Sequence, residues 1–251
     1  MEPRWGGNKM TGVRLFITCL VDNLYPDAAE AVVTVLERHG ITVAVPEGQT
    51  CCGQPAFNAG FWDDARAMAR HTLDLLSRSD SPIVVPSGSC ADMLVHHYPE
   101  ILAGDPAYGP KAEAVAAQTY EFTQFLVDVL GVSDLDAHFD GKVTYHPSCH
   151  LLRGLGVTEP PRRLLAEVAG AEVIDLPDAT ECCGFGGLFA VKMGDISGAM
   201  LQRKLDAIES TGAGTVVGCD VSCLMHIGGW LRRRGSAIRT RHLAELLVGA
   251  E

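Results

Sequence analysis

The sequence has no excess of positive charge and no long apolar run. Its 20 Lys and Arg residues are outnumbered by 31 Asp and Glu, which gives a formal net charge of -11. Because nucleic-acid phosphates are bound by basic surfaces, this balance argues against a nucleic-acid partner. No stretch approaches the roughly 18 apolar residues that a membrane-spanning helix requires. We therefore expect no nucleic-acid partner and no transmembrane segment.

Two common redox motifs are also missing. The chain has neither the C-x₂-C-x₂-C-x₃-C-P run of bacterial ferredoxins nor the G-x-G-x-x-G fingerprint of dinucleotide-binding folds. The glycine-rich segment at 184–187 lacks the spacing of that fingerprint. A chain without a hydride acceptor needs partner subunits to supply a substrate site or further electron carriers.

The start of the chain contains a short apolar stretch at residues 13–21. Asp22, Asn23 and Pro26 follow it directly, so we interpret the stretch as a first β-strand rather than a secretory signal, and residues 1–10 as a leader. We therefore expect a cytoplasmic protein, in which thiols stay reduced.

What the sequence does contain is cysteine, nine residues in all. In a reducing compartment this number indicates a metal or redox site rather than a disulfide framework. Two pairs are adjacent in sequence, Cys51–Cys52 and Cys182–Cys183. Neighbouring side chains of an extended segment point apart and form no relaxed disulfide with each other. The adjacent pairs therefore strengthen the case for metal binding.

The cysteines recur in an internal repeat. Four from the first half return in the same order in the second, at offsets of 130, 131, 131 and 133 residues, and C-C-G occurs in both halves. The matched pairs are Cys19 and Cys149, Cys51 and Cys182, Cys52 and Cys183, and Cys90 and Cys223. A fixed period of this kind indicates a duplicated structural unit.

The hydrophobic pattern repeats as well. Strands are predicted at 13–18, 42–45 and 83–85, and again at 142–145, 172–176 and 215–217, with helices between them. Strands that alternate with helices predict parallel α/β layers. We expect two homologous lobes, at 12–130 and 141–249, joined by a linker at 131–140. Each lobe is a small parallel sheet flanked by helices, and a helix at 111–130 ends the first.

The repeated cysteines all follow predicted strands. In an open parallel α/β sheet, ligands bind at the carboxyl edge of the strands, so each set of four thiols can meet there. Helix N-termini at this edge favour the thiolate that binds metal. Buried cysteines that act as small apolar side chains are the simpler alternative. Cys90 as a catalytic nucleophile is another, although it would leave the other repeated cysteines unexplained.

Several other residues near these loops are weaker candidates. His146 and His150 flank Cys149. Histidine can bind iron, but beside a cysteine ligand we expect it to donate a hydrogen bond instead. Arg153 and Lys192 could offset negative charge at the second site or simply be solvated.

Six segments resemble the cysteine-rich CCG domain family, whose relatives include a component of heterodisulfide reductase and the iron–sulfur subunit of glycolate oxidase. They are FITCLVDNLYPDAAEA, PEGQTCCGQPAFNAG, SGSC, YHPSCHLLRGLGV, ECCGFGGLFAVK and DVSCLMHIGG. Within that family the chain is most similar to the lactate-utilisation branch. The resemblance implies an iron–sulfur protein that serves L-lactate oxidation to pyruvate, together with a ferredoxin-type subunit and a third subunit.

The chain departs from the full family motif, which ends in C-x-x-C and can hold a non-cubane [4Fe–4S] cluster on five cysteines. Ser87 and Asp220 stand where the first cysteine of that pair is expected. Each lobe keeps four cysteines, enough for an ordinary [4Fe–4S] cluster, and Cys219 is a further candidate ligand in the second lobe. We expect one or two clusters per chain, with a Cys₄ zinc site in one lobe as the alternative.

Three functions remain open at this level. The leading one is an iron–sulfur electron-transfer subunit, an oxidoreductase component that is active only with its partners. A thiol–disulfide redox subunit similar to heterodisulfide reductase is the second. A zinc-stabilised scaffold that holds partner subunits together is the third.

Overall fold

The computed structural model describes residues 11–249, so the predicted leader at 1–10 lies outside the described residues. The described chain forms two sheets of four parallel strands, in the orders β2-β1-β3-β4 and β6-β5-β7-β8. The strands of the first sheet are β1 (Gly12–Leu15), β2 (Thr42–Ala44), β3 (Ile83–Val85) and β4 (Thr119–Glu121). Those of the second are β5 (His138–His146), β6 (Ala169–Ile174), β7 (Thr215–Gly218) and β8 (Arg239–His242). The equivalent strand orders confirm the predicted tandem α/β lobes.

Helices connect the strands in both lobes. The first lobe contains α1 (Cys19–Leu24), α2 (Pro26–Arg38), α3 (Gln54–Asn58), α4 (Trp62–Leu76), α5 (Gly88–Asp92), α6 (Tyr98–Leu102), α7 (Gly109–Ala116) and α8 (Phe122–Gln124). The second contains α9 (Glu159–Ala166), α10 (Phe189–Lys192), α11 (Gly194–Ser210), α12 (Val221–Arg233) and α13 (Leu243–Leu247). π-Helical segments lie at Met93–His97, Phe125–Val129 and His150–Gly154. No helix in the described part is both long and apolar enough to cross a membrane.

Local sequence explains the best-predicted elements. Pro26 begins α2, where its missing N–H costs no hydrogen bond, and Gly40 follows the end of the helix with φ +75°. The side chains of Val32 and Leu36 on one face of α2 are buried. Strand β3 is buried along its whole length, as expected for a central strand of a parallel sheet.

The predicted helix at 111–130 is wrong. Helix α7 ends at Ala116, and strand β4 pairs in parallel with β3 before the chain becomes helical again at α8. The carboxylate of Glu121 ends the strand and caps α8, because it accepts hydrogen bonds from the backbone N–H groups of Thr123 and Gln124. Pairing with a strand more than 30 residues earlier thus overrides the local helical pattern.

The two lobes share an apolar core. One cluster of buried side chains joins Val84 and Phe122 of the first lobe to Val143 and Val217 of the second. The contact is close at Gly88, where an added Cβ would lie 2.7 Å from the Cβ of Leu151. Strand β5 begins inside the linker proposed at 131–140, so little chain separates the two sheets.

Candidate metal centres

The four repeated cysteines of the first lobe all follow the carboxyl ends of strands. Cys19 is the first residue of α1, after β1. Cys51 and Cys52 lie in the loop between β2 and α3, and Cys90 is the third residue of α5, after β3. The parallel sheet thereby brings to one edge residues that are up to 71 positions apart in sequence. We call this set the first quartet.

The four cysteines of the first quartet line one cavity. The Sγ atoms of Cys52 and Cys90 are 3.3 Å apart, and Cys19 and Cys51 line the same cavity as this pair. The backbone N–H of Gly53 donates to Cys51 Sγ over 3.5 Å. These positions place the four cysteines around one cavity at the edge of the sheet.

The second lobe repeats this arrangement with its own four cysteines, the second quartet. Cys149 and Cys182 have Sγ atoms 4.0 Å apart, and the Sγ atoms of Cys183 and Cys223 lie within 4.8 Å of each other. Cys223 is the third residue of α12, as Cys90 is of α5. All of these cysteines are free thiols in the structure.

The equivalent cysteine of each quartet has a lowered pKa. Hydrogen bonds from Cys19 and then Cys52 lower the pKa of Cys51 to about 3, against the opposing effect of burial. In the second lobe, hydrogen bonds from Cys149 and Cys183 lower the pKa of Cys182 to about 2. Since thiolates are the form that binds metal, one strong donor is already prepared in each lobe.

A glycine follows each adjacent cysteine pair in a conformation that other residues rarely adopt. Gly53 has φ +86° and Gly184 has φ +85°. The turn that they make allows two consecutive cysteines to face the same centre.

A cavity of about 130 Å³ adjoins the first quartet. Residues of both lobes line it, among them Gln54, Ser87, Phe185, Gly187, Asp220 and Ser222. Thr18 also lines the cavity, with φ 68° and ψ 143°, a conformation that is nearly restricted to glycine. Strain of this kind next to Cys19 is typical of a site whose geometry serves function rather than stability.

Ser87 and Asp220, at the positions where the full family motif has cysteine, serve as helix caps. The Ser87 hydroxyl accepts from the backbone N–H of Cys90 at the start of α5. The Asp220 carboxylate accepts from the backbone N–H of Ser222 at the start of α12. Each cap fixes the first turn of the helix that carries the last cysteine of a quartet.

Cys219 lies apart from the second quartet. It is fully buried in the core between the lobes, where its Sγ is 3.8 Å from the hydroxyl oxygen of Tyr145. Cys183 and Cys223 belong to a different apolar cluster. The structure thus brings eight of the nine candidate cysteines into two sets and does not bring Cys219 to either.

The two histidines beside Cys149 have different environments. Nδ1 of His150 lies 2.7 Å from a carboxylate oxygen of Asp92, in the first lobe. His146 ends β5, and neither of its ring nitrogens has a hydrogen-bond partner among the described residues. Burial lowers the pKa of His146 to about 4, so its ring is neutral near pH 7. The expected hydrogen-bonding role therefore describes His150 only.

The two basic candidates contact other groups. Arg153 donates a hydrogen bond to the backbone oxygen of Thr180, two residues before the second adjacent cysteine pair. Lys192 Nζ lies 4.8 Å from the centre of the Phe61 ring. Each therefore has a packing role that needs no metal.

Lys204 is a residue near the second quartet that the sequence prediction missed. It is only 1% exposed, and its ammonium group donates hydrogen bonds to the backbone oxygens of Asp178 and Ala179, just before the second C-C-G segment. Its place in the sequence contains the signal, since it shares the buried face of α11 with Leu201 and Ile208. A lysine at such a position is predicted to be buried and paired.

The donor sets fit a sulfur-bound metal group. In each lobe the four cysteines lie at one sheet edge, and the first quartet borders a cavity of about 130 Å³. Iron–sulfur clusters and Cys₄ zinc sites both use four thiolates. When bound, an iron–sulfur cluster would supply a centre that accepts and releases one electron at a time.

Comparison with known proteins agrees with this geometry. The cysteine-rich domain family CCG matches residues 13–95 and 143–228. Lactate utilization protein A of Geobacillus sp. (strain WCH70) is 48% identical over 235 residues, which cover 94% of this chain and 98% of that protein. Lactate utilization protein A of Exiguobacterium sp. (strain ATCC BAA-1283 / AT1b) is 46% identical over 239 residues, 95% of this chain and 97% of that protein.

Among solved structures, a hypothetical protein from Helicobacter pylori superposes with a TM-score of 0.65 at 11% identity. The match covers 96% of this chain but spans only 49% of that protein, and it shows similarity of fold alone. The identity to the curated relatives extends over nearly the whole chain and includes both cysteine-rich segments. The chain belongs to the lactate utilization protein A family, with two cysteine-rich CCG domains in tandem.

Proposed function

We propose that this protein is an iron–sulfur electron-transfer subunit of a cytoplasmic complex that oxidises L-lactate to pyruvate. The observation that carries the proposal is the convergence of four thiols at the same sheet edge in each lobe. Close relatives over the full chain are named for lactate utilization, which supports the substrate.

In this proposal the first quartet (Cys19, Cys51, Cys52 and Cys90) and the second (Cys149, Cys182, Cys183 and Cys223) each hold one cluster, of the [4Fe–4S] type. Cys51 and Cys182 supply the preformed thiolates. Backbone N–H groups of Gly53 and Gly184, which donate to these two sulfurs, would stabilise the negative charge of the loaded sites.

The chain would act with partner subunits. Oxidation of lactate to pyruvate releases two electrons and two protons, and the sequence carries no dinucleotide fingerprint that would accept a hydride. A substrate site and further electron carriers therefore belong to partners, which we propose to be a ferredoxin-type iron–sulfur subunit and a third subunit. Two sites in this chain, each of one-electron capacity, suit a two-electron reaction.

Thiol–disulfide chemistry is a second candidate, because of the cavity beside the first quartet. Such a function needs an open space in which a disulfide can reach the metal centre, and the cavity lies at the seam of the two lobes. Turnover of a small disulfide by the anaerobic protein, lost when Cys90 is replaced, would favour it. Lack of turnover with a panel of low-molecular-weight disulfides would remove it.

A zinc-stabilised scaffold is a third candidate, because one sulfur pair in each lobe has a spacing near that of a zinc site. Sulfurs arranged tetrahedrally at about 2.3 Å from zinc lie ~3.8 Å from each other. The observed separations of 3.3 Å for Cys52 and Cys90 and 4.0 Å for Cys149 and Cys182 are close to this value. Metal analysis distinguishes a zinc site from an iron–sulfur site.

The decisive experiment is purification without oxygen, followed by counts of iron, acid-labile sulfide and zinc and by electron paramagnetic resonance of the reduced protein. Iron and sulfide at several atoms per chain, with a signal that appears on reduction, would support the proposal. A deletion strain should in addition lose growth on lactate but keep growth on glucose. Iron-free protein with about two zinc ions per chain would overturn the electron-transfer role.

A further inference from the structure

His146 is a buried side chain with a missing partner. It is 1% exposed, and its ring nitrogens make no hydrogen bond to the described residues. A buried polar group left without a partner costs about 1–3 kcal/mol. This energetic cost is specific to His146, at the end of β5. We therefore expect the side chain to have a function that compensates for it.

Binding of a metal at the second quartet would offset this energetic cost. A ring nitrogen of His146 and the Sγ atoms of Cys183 and Cys223 all lie within 4.8 Å of one another, and all three residues are buried. Imidazole nitrogen and thiolate sulfur are the two donors that zinc and iron share in proteins. His146 therefore stands where a ligand atom would stand.

The other groups that could act as a fifth metal ligand in the second lobe already have hydrogen-bond or packing partners. The Asp220 carboxylate accepts hydrogen bonds from Ser87, Ser89 and Ser222. Cys219 packs against Tyr145 in a different cluster. His226 Nε2 lies 3.3 Å from the hydroxyl oxygen of Ser197. Among these groups and His146, the imidazole of His146 alone has no protein partner.

The first lobe has no counterpart to this imidazole. At the offset of 130 residues that relates Cys149 to Cys19, the residue that matches His146 is Phe16. Phe16 is buried in the same apolar cluster as Cys52 and Cys90. The first site thus offers four sulfur donors, whereas the second offers four sulfurs and one nitrogen.

We infer that His146 is a metal ligand, so that the second lobe holds a mixed sulfur–nitrogen centre and the first lobe a centre bound by sulfur alone. The inference rests on the proposed function, since it requires that the quartets bind metal. A neutral imidazole brings no negative charge to the metal, and where histidine replaces cysteine as an iron ligand, as in Rieske centres, the reduction potential is higher.

The test uses the full-length protein, prepared without oxygen and labelled with ¹⁵N in the histidine rings only. Pulsed electron paramagnetic resonance of the reduced protein measures the nitrogen coupling of each iron centre, and X-ray absorption at the iron and zinc edges counts nitrogen neighbours of either metal. The variants are His146→Phe, which reproduces the first lobe, and His226→Gln, which alters another imidazole of the second lobe. The labelled wild-type protein is informative even where a variant fails to fold.

The expected result is a directly bound histidine nitrogen in the wild type and in His226→Gln, and its loss in His146→Phe. Potentiometry should also show two centres of unequal potential in the wild type, with the higher one altered by His146→Phe. Iron bound by sulfur alone, or only a weak nitrogen coupling typical of a hydrogen bond, would overturn the inference and leave the proposed function standing. A protein that binds neither iron nor zinc would overturn both.

Discussion

The hydroxyl of Ser87 donates a hydrogen bond to a carboxylate oxygen of Asp220 over 3.2 Å, from one lobe to the other. The two residues occupy equivalent positions, each three residues before the last cysteine of a quartet. The same oxygen of Asp220 also accepts from the backbone N–H of Ser89 over 2.8 Å. Ser87 and Asp220, which replace cysteine in the family motif, thus cap their own helices. Their hydrogen bond also joins the two lobes between the proposed metal sites.

Replacing Asp220 with alanine should destabilise the protein strongly. The change removes the cap of α12, worth about 1 kcal/mol, and leaves the buried N–H of Ser89 without an acceptor, at about 1–3 kcal/mol. We expect the free energy of unfolding to fall by ~2–4 kcal/mol in anaerobic urea denaturation. Asp134→Ala is the control, because the Asp134 carboxylate accepts one backbone hydrogen bond at an exposed site. Equal losses in the two variants would refute the role given to Asp220.

Cysteine substitutions should separate the quartets from Cys219. Because each quartet is proposed to hold one cluster, we expect Cys183→Ser to lower iron and labile sulfide by about half. Cys219→Ser should keep both contents, since this side chain packs against Tyr145 outside the quartets. The measurement is metal and sulfide analysis of protein purified without oxygen. Loss of iron in Cys219→Ser with a normal fold would return Cys219 to the ligand set.

The sequence correctly predicted those features of the fold that follow from residue spacing and the hydrophobic pattern. The repeat of cysteines and strands correctly indicated two parallel α/β lobes, and the two sheets have equivalent strand orders. It failed where a distant contact decides the outcome. Strand β4 has three residues inside an otherwise helical pattern, and only its pairing with β3 makes it a strand.

The candidate metal sites were likewise predictable only in part. Residue spacing is enough to place each quartet at a sheet edge. It cannot show that Cys219, next to Asp220 in sequence, points into the core between the lobes. It also cannot distinguish His146 from His150, since only the packing of the lobes reveals that Asp92 pairs with one of them.

The glycine after each adjacent cysteine pair should be intolerant of a side chain, and more so in the second lobe. A Cβ at Gly184 would lie 2.7 Å from the backbone oxygen of Ser197, in addition to requiring φ +85°. At Gly53 the nearest atom would be 3.3 Å away. From the strain and the clash together we expect Gly184→Ala to lower the free energy of unfolding by ~2–4 kcal/mol, and Gly53→Ala to lower it less.

Gly198→Ala is the matched control for this series. Gly198 lies within α11, and a Cβ there would meet nothing within 4 Å. Alanine in a helix interior is favoured over glycine by about 0.5–1 kcal/mol, so this variant should be slightly more stable. Calorimetry of the metal-loaded proteins measures both effects. Similar stability of Gly184→Ala and Gly198→Ala would contradict the proposed restriction at the C-C-G turn.

Glu121 should make stability depend on pH. Burial raises the pKa of this carboxyl to about 7, although hydrogen bonds from Thr123 and Gln124 oppose the rise. Between the unfolded value of 4.5 and about 7, the folded protein holds a proton that the unfolded chain has released. The free energy of unfolding therefore falls as pH rises through this window, by an amount on the order of 3 kcal/mol.

Glu121→Gln removes this titration and keeps a side-chain oxygen for the cap of α8. As pH rises from 5 to 8, the free energy of unfolding of Glu121→Gln minus that of the wild type should therefore increase by ~3 kcal/mol. The reason is that only the wild type must ionise a buried carboxyl. Anaerobic urea denaturation across this range measures the difference. Glu113→Gln, on the exposed side of α7, should follow the wild-type curve. If Glu121→Gln also runs parallel to wild type, the pKa of the Glu121 carboxyl is not raised in the folded protein.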